Sequence, residues 1–342
     1  MSDVIGRIRA LRRLAASTSP HEAEVAGRQA DRLIREHGVA EVDIANEPIP
    51  AKALPTIFPQ VVTTARRTYT LTGSIAIGDV ADVYRCTYTD KGAEHAVAFK
   101  VAQSPADNDL VENEAKVLAA MYPAAQSPEK FYRYLPKPVD TFMMRGPTGT
   151  HRSVSVMQLA DDCVPLTEVM RAYPGGLDWR DFVWMFKRAL AGLGFVHSQK
   201  HIVHGAVIPP HLLVHPVHHG AKIVDWCYAV ADWEKRTGKV KALSVPYRAY
   251  YAPEILSRKP PTSQTDIYML AKCAVAALGG DVATNHIPDA VPRPFRAVIQ
   301  SCLIEQQARR PDDAWALHEE VDGLLARLVG APKFRTLELP KQ

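Results

Sequence analysis

The feature that most constrains the fold is the stretch of residues 203–227, VHGAVIPPHLLVHPVHHGAKIVDWC. Two short apolar runs, residues 211–214 and 221–224, flank a turn that contains proline, histidine and glycine. Apolar β-forming runs on either side of such a turn predict a short β-hairpin. A proline-containing loop precedes the hairpin and Asp225 follows it. The sequence therefore predicts a loop, a hairpin and an acidic residue in direct succession.

The chain upstream of this stretch predicts antiparallel strands. Residues that favour strands dominate 75–86 and 95–100, and Lys91-Gly92 between them is a turn signal. Residues 153–159, SVSVMQL, predict a further strand. The chain downstream of that strand is mainly helical in pattern, most clearly in WRDFVWMFKRALAGLGFVHS, where apolar residues recur every three or four positions.

A lysine within the strands has an expected partner. Lys100 ends the apolar run AVAFK, and a lysine that points inward is costly without an anionic partner. Glu114 lies in a helical pattern over residues 110–118 and is the expected partner, with Glu112 as its rival.

In order and spacing, these motifs resemble those of the protein kinase family. AVAFK resembles the V-A-I-K strand, KIVDWC resembles the strand that ends in D-F-G, and Ala252-Pro253-Glu254 matches A-P-E. The resemblance covers residues 70–328. It implies an α+β, two-lobed kinase-like fold with a small antiparallel β lobe that carries one helix, and a larger, mainly α lobe.

The N-terminal region predicts two short helices. The run IRALRRLAASTSPHEAEVAGRQADRLIREHGV resembles a small helical domain of unknown function found at the N-termini of some bacterial and phage proteins. We therefore expect an N-terminal helical hairpin over residues 1–40, a proline-containing linker over 41–67, a kinase-like N-lobe over 68–157, a kinase-like C-lobe over 158–330, and a C-terminal tail over 331–342.

The kinase resemblance implies a nucleotide site. In the family, a glycine loop covers the phosphates of ATP, a lysine holds two of them, and the connection between the lobes contacts the adenine. By position, the nucleotide-binding residues are Gly78, Val83, Lys100, Glu114, Gln158 and Leu159, and Asp225 takes the position that binds Mg²⁺. Ala76 and Ala81 replace two of the loop's three glycines, which limits how closely the backbone approaches phosphate.

The resemblance also implies residues that hold the fold together. His204 begins the catalytic loop, Asp266 takes the position of a buried aspartate that braces that loop, and Arg310 is expected to pair with Glu254. The other histidines of residues 203–227 predict surface turn positions rather than metal ligands, which leaves His204 as the one structural histidine.

The catalytic loop lacks the residues that phosphoryl transfer uses. The family's H-R-D-L-K-P-x-N appears here as HGAVIPPH. Ala206 takes the position of the aspartate that accepts the substrate's proton, so no confident catalytic residue remains. Ile208 replaces the lysine, and His211 replaces the asparagine that holds a second Mg²⁺, for which imidazole is a poor ligand. Gly205 replaces the arginine.

Composition bounds the partners and the compartment. The net charge of +4 over 342 residues does not point to nucleic acid, and no apolar stretch is long enough to span a bilayer. The five cysteines are scattered without CxxC spacing, which favours free thiols in a reducing compartment. With no secretory signal apparent, we expect a cytoplasmic protein with a protein partner and no membrane.

The sequence therefore predicts a pseudokinase, a regulatory or scaffolding protein with residual ATP binding, through Mg²⁺ on Asp225, and impaired phosphotransfer. One alternative is an active atypical kinase or a nucleotidyl transferase on the same fold, as in selenoprotein-O-like AMP transferases. A second alternative is a protein-interaction module that binds no nucleotide.

Overall fold

A computed structural model of the protein describes residue 34 and residues 60–122, 129–145, 149–330 and 334–339. Apart from residue 34, the helical hairpin expected over residues 1–40 lies outside the described residues, as does most of the expected linker. The described chain is a mixed α+β structure with an antiparallel main sheet. This confirms the expected α+β class.

The main sheet contains six strands in the order β1-β2-β3-β4-β6-β5. Their bounds are β1 (Val61–Thr63), β2 (Thr68–Ile77), β3 (Ala81–Asp90), β4 (Ala93–Ala102), β5 (Pro138–Arg145) and β6 (His151–Gln158). In β1, Val62 is buried and pairs with Tyr69 of β2. The sheet thus begins inside the stretch expected to be a linker, which corrects the expected boundary at residue 68.

The hairpin of β3 and β4 decides which side chains share a face of the sheet. Lys91 and Gly92 in its turn have φ values of 48° and 81°, which is the backbone that a two-residue hairpin turn needs. Val83 lies opposite Lys100. Because side chains alternate along a strand, Ala98 lies on the same face as Lys100 and Val83. The opposite face buries an apolar core that includes Tyr69, Tyr84, Val97, Phe99, Val154 and Val156.

The rest of the described chain is mainly helical. The helices are α1 (Asn108–Met121), α2 (Glu129–Tyr132), α3 (Leu166–Ala172), α4 (Trp179–Lys200), α5 (Pro253–Leu256), α6 (Ser263–Ala277), α7 (Arg293–Cys302) and α8 (Ala314–Val329). α1 packs on β4 and β6, while α4 packs against α6 and α8. Among the described helices, none has the length and apolarity that crossing a membrane requires.

Short strands position the loops of the helical part. β9 (Leu212–His215) and β10 (Gly220–Ile223) form the hairpin expected from residues 211–224. β7 (Val164–Pro165) pairs with β9, and β8 (Ile202–Val203) pairs with β11 (Val230–Ala231). The proline-containing loop lies between β8 and β9, and Asp225 follows β10. These pairings bring the loop and Asp225 together.

A buried ion pair joins the start of α5 to the chain before α8. Arg310 Nη1 and Nη2 lie 2.7 and 3.1 Å from the two carboxylate oxygens of Glu254. Thr265 Oγ1 donates a further hydrogen bond of 2.8 Å to Glu254, and the Arg310 guanidinium lies 4.4 Å from the centre of the Tyr268 ring. Both charged side chains are buried, so each depends on the other for compensation.

Replacing Arg310 with Met should destabilise the fold by about 3–5 kcal/mol, because Glu254 would remain buried without a counter-charge. Urea unfolding at neutral pH measures this loss. The double variant Arg310→Met, Glu254→Leu should recover part of it, since no uncompensated charge then remains. An unfolding free energy for Arg310→Met equal to that of the wild type would contradict the assignment.

Candidate functional site

A cluster of three charged residues joins the sheet, α1 and the end of β10. Lys100 Nζ lies 2.8 Å from Asp225 Oδ1 and 3.2 Å from Glu114 Oε2. Lys100 and Glu114 are buried, whereas the Asp225 side chain is 24% exposed. Glu112, the rival partner, instead accepts a hydrogen bond from Ser153 Oγ at 3.0 Å. The structure thus brings together Lys100, Glu114 and Asp225, and it leaves Glu112 apart from them.

Electrostatics keep Lys100 and Asp225 of this cluster ionised. Burial alone would lower the pKa of Lys100, but the charges of Asp225 and Glu114 outweigh it and hold this pKa well above its usual value. Burial alone would raise the pKa of Asp225, yet the charge of Lys100 holds it below its usual range. Burial raises the pKa of Glu114. Asp225 is therefore the carboxylate that stays charged over the widest pH range.

The residues after β10 are fastened to α1. Asp225 has a left-handed backbone (φ 64°, ψ 65°), which costs a non-glycine residue energy and persists only where surrounding contacts hold it. The Trp226 backbone N–H donates to Glu114 Oε1 at 2.9 Å, and its indole N–H donates to Ile223 O at 2.8 Å. Asn113 Nδ2 donates to the carbonyls of Cys227 and Ala229, each at 3.0 Å. These bonds hold the Asp225 carboxylate beside Lys100.

Asp266 braces the loop that begins at His204. The carboxylate of Asp266 is fully buried and accepts the backbone N–H groups of His204 and Gly205 at 2.7 and 2.8 Å. The ring of His197 contacts the same carboxylate at 2.8 Å. One side chain of α6 thus satisfies two buried backbone donors.

His204 is held in one neutral tautomer. Its Nε2–H donates to Val224 O at 2.9 Å, and its Nδ1 accepts the N–H of Ala206 at 3.2 Å. Burial lowers the pKa of His204 to about 4. The ring therefore ties the loop to the end of β10 as a neutral donor and acceptor.

The backbone of the loop explains the glycine at position 205, and burial describes the alanine at position 206. Gly205 has a φ of 74°, and a Cβ there would lie 2.7 Å from Val240 Cγ2 and 3.0 Å from Tyr228 O. Neither the backbone nor the space accepts an arginine at this position. Ala206 is fully buried, and its methyl group offers no proton acceptor. The loop thus has a defined shape and lacks a base at its expected position.

His211 is the second buried histidine of residues 203–227. This corrects the expectation that His204 is the one structural histidine of that stretch. Its Nδ1–H donates to Ala206 O at 2.8 Å, and its Nε2 lies 3.3 Å from Asp225 Oδ2. Burial lowers the pKa of His211, so the ring is neutral and Nε2 carries a lone pair. Two acceptor atoms therefore face each other, an arrangement that a bound cation would relieve.

The donor atoms test which metal fits. Adjacent ligand atoms on a six-coordinate cation with bonds of about 2.1 Å lie roughly 3 Å apart, close to the 3.3 Å between His211 Nε2 and Asp225 Oδ2. This pair of one nitrogen and one oxygen suits Mn²⁺ better than Mg²⁺, because Mn²⁺ accepts an imidazole ligand more readily than Mg²⁺ does. Glu114, Asp225 and Cys227 also place ligand atoms within 4.8 Å of one another. That trio fits poorly, because Lys100 contacts both carboxylates and burial keeps Cys227 a thiol by raising its pKa.

The turn between β2 and β3 is closed tightly. Gly78 N–H donates to Ala81 O at 3.1 Å, and a Cβ on Gly78 would lie 2.6 Å from that oxygen. The turn is also held from the helical part, because Ser244 Oγ donates to the carboxylate of Asp79. Gly78 is therefore needed for the turn itself. Asp79, the residue after it, holds the turn to Ser244 of the helical part.

The other predicted nucleotide-binding residues are Val83, Gln158 and Leu159. Val83 is half-buried on the sheet face of Lys100, Leu159 is half-buried and Gln158 is exposed. The Gln158 N–H donates to Lys137 O at 2.8 Å and the Leu159 N–H to Ala96 O at 3.4 Å, so these donors are engaged within the sheet. A cavity of about 500 Å³ adjoins both residues and is also lined by Tyr122 and Lys222.

Sequence reasoning did not single out Asn113, Ser244 or the contact of His211 with Asp225. Asn113 lies next to Glu114 in a helical pattern that looks solvent-facing, and Ser244 lies in a stretch without periodicity. For the contact of His211 with Asp225, the one signal in the sequence was that His211 takes the position of the kinase family's metal-binding asparagine.

Comparison with known proteins concerns the N-terminal region. Residues 3–41 match a family described as a protein of unknown function, DUF2786. The match agrees with the resemblance seen in the sequence of this region, and it carries no chemistry to the rest of the chain. No curated protein matches the chain.

The histidine at position 204 should make stability depend on pH. Its folded pKa of about 4 lies below the usual value of 6.5, so between these values the unfolded chain binds a proton that the folded chain does not. Stability should therefore fall as the pH drops from 6.5 to 4, by about 2 kcal/mol at pH 5 from this residue. Urea unfolding at pH 7.5 and pH 5 measures the loss, which should shrink in His204→Gln. An equal loss in both proteins would contradict this assignment.

Proposed function

We propose that the sheet and helical part form a degenerate protein kinase-like fold and that the chain is a pseudokinase. In this proposal it is a regulatory or scaffolding protein that binds ATP and has lost efficient phosphotransfer. The observation that carries the proposal is the intact cluster of Lys100, Glu114 and Asp225 beside a loop with Ala206 at the position of the base.

The arrangement around the cluster supports a kinase-like fold. A lysine on a central strand pairs with a glutamate on the one long helix that packs on that sheet, and an aspartate after a short hairpin approaches the same lysine. Asp266 holds the neighbouring loop through its backbone, and Arg310 pairs with Glu254 in the helical part. Apart from the contact of Lys100 with Glu114, these contacts join residues far apart in sequence, as the family's fold requires.

The residues on one face of the sheet suit a nucleotide. Val83 and Ala98 are half-buried on the face that carries Lys100, and they would contact the flat base of ATP. The Lys100 ammonium, already beside two carboxylates, would contact phosphate oxygens. A divalent cation held by Asp225 and His211 would neutralise phosphate charge. The chain's own residues would therefore bind and orient ATP.

The same site is poorly equipped to transfer a phosphoryl group to a hydroxyl. Ala206 cannot take the proton of an acceptor, and Ile208, which is fully buried, cannot neutralise the moving phosphoryl group. Losses of this type each lower the rate by about 10²–10⁴. Binding without turnover is the activity that the site supports best.

Addition of ATP with a divalent cation should raise the melting temperature of the full chain by about 2–5 °C at saturating nucleotide. Mn²⁺ should support a larger shift than Mg²⁺, and His211→Asn should reduce that difference, because asparagine restores an oxygen ligand. Differential scanning fluorimetry with ATP and Mg²⁺, Mn²⁺ or EDTA measures these shifts.

Two variants and one matched control sharpen this test. Lys100→Met removes the phosphate contact, and Ala98→Trp fills the face that would take the base without adding charge. Both should abolish the ATP-dependent shift, whereas Lys239→Met, at an exposed lysine, should retain it. Absence of any shift in the wild type would overturn nucleotide binding and favour the interaction module, for which the Asp79–Ser244 contact across the turn is the supporting observation.

The second candidate is an atypical transferase, favoured by the retained Lys100–Glu114–Asp225 cluster. Incubation with ATP labelled at the α or the γ position separates the chemistries. We expect no label on the chain or on generic protein substrates from either position. Transfer from the γ position that disappears in Asp225→Ala would identify a kinase, and transfer from the α position would identify a nucleotidyl transferase.

A further inference from the structure

A segment after α8 lies in a surface groove of the helical part. Residues 334–339 form neither helix nor strand and cross the surface between the start of α4 and the β9–β10 turn. Leu337 is 3% exposed, and its N–H donates to Pro216 O at 3.4 Å. Leu337 thus anchors an otherwise extended segment, and Leu339 packs partly buried against the same core.

An aromatic stack forms one end of this groove. The ring of Phe334 lies 4.2 Å from the ring of His219, which itself lies 4.1 Å from the ring of Trp184 and nearly parallel to it. Phe334 remains 66% exposed. The hydrogen bond from His219 Nε2 to Arg335 O fixes the backbone next to the stack. Phe334 therefore covers the groove's aromatic surface without being buried in it.

Two carboxylates of the groove, those of Asp178 and Asp181, lie beside Arg335, the next residue of the segment. Arg335 Nε and Nη2 donate to the two carboxylate oxygens of Asp181 at 2.6 and 3.0 Å, and Asp178 lies 3.6 Å away. Such a two-pronged contact is specific for a guanidinium. Tyr173 Oη also donates to the carbonyl of Glu338. The groove thus recognises an aromatic residue, an arginine and a leucine at successive positions of one extended backbone.

These anchors are those of a bound peptide, and they are weak enough to exchange. Grooves that bind extended segments use spaced side-chain sites together with backbone hydrogen bonds. Here the ion pair is partly exposed, with the Arg335 side chain 40% exposed, and exposed pairs contribute little. A single buried leucine must also offset the conformational entropy lost by the ordered residues.

We propose that this groove is a docking surface for a partner protein that presents an extended aromatic–Arg–x–Leu segment, and that residues 334–339 occupy it in cis until the partner displaces them. Asp181 favours a basic residue in the partner's segment, because Asp178 beside it is already paired with Arg180. This surface is separate from the nucleotide site, so the result of its test does not depend on whether the chain binds ATP.

The test uses a fluorescein-labelled peptide APKFRTLELPKQ and the full chain, with fluorescence polarisation as the readout. Leu337→Asp and, separately, Arg335→Glu should release the cis segment and leave the groove intact. Both released variants should bind the peptide at least about ten-fold more tightly than the wild type, because the wild-type groove is already occupied. Arg335→Glu changes a partly exposed side chain, so it serves if Leu337→Asp fails to fold.

A charge swap identifies the binding surface. Asp181→Arg in the released Leu337→Asp background should lose the peptide, and a peptide with glutamate in place of its arginine should then bind again. Lys239→Met in the same background should bind as the released variant does. Absence of binding to both released variants, or binding that Asp181→Arg leaves unchanged, would overturn the proposal and make residues 334–339 a purely structural strap.

Discussion

The buried ammonium group of Lys100 is the constraint on which the site depends. A lysine in the interior of a sheet is tolerated when anionic partners compensate it, and here they come from α1 and from the turn after β10. Glu114 also accepts the backbone N–H of Trp226, so this partner of Lys100 holds the residue that follows Asp225 as well. One charge thus sets the position of the sheet, a helix and a hairpin relative to one another.

The loop beside this cluster keeps its shape through contacts that do not depend on catalysis. Asp266 holds its backbone donors, His204 bonds to the end of β10, and Gly205 adopts a backbone that a larger residue would resist. These interactions are structural, and none of them uses the side chain of Ala206. The shape of the loop therefore does not depend on which side chain stands at position 206.

Much of the described fold followed from local pattern. The β9–β10 hairpin, the strands up to Lys100 and the long helix α4 follow from alternation, turn residues and helical periodicity, which act between neighbours in sequence. An anionic partner for Lys100 was expected from the cost of burying a lysine, but only the structure distinguishes Glu114 from Glu112 as that partner. The strand at residues 61–63 was missed, because a three-residue strand carries little pattern and gains its order by pairing with β2.

The sequence by itself determined the classes of element, the order of the motifs and the absence of a base at position 206. Only the tertiary structure decided that His211 lies against Asp225, that Asn113 and Ser244 fasten separate parts of the site, and that residues 334–339 fill a groove beside α4. The physical reason is that local pattern fixes elements but not the contacts between them: Asn113, Ser244 and residues 334–339 meet partners more than one hundred positions away, and His211 meets Asp225 only when the β9–β10 hairpin folds.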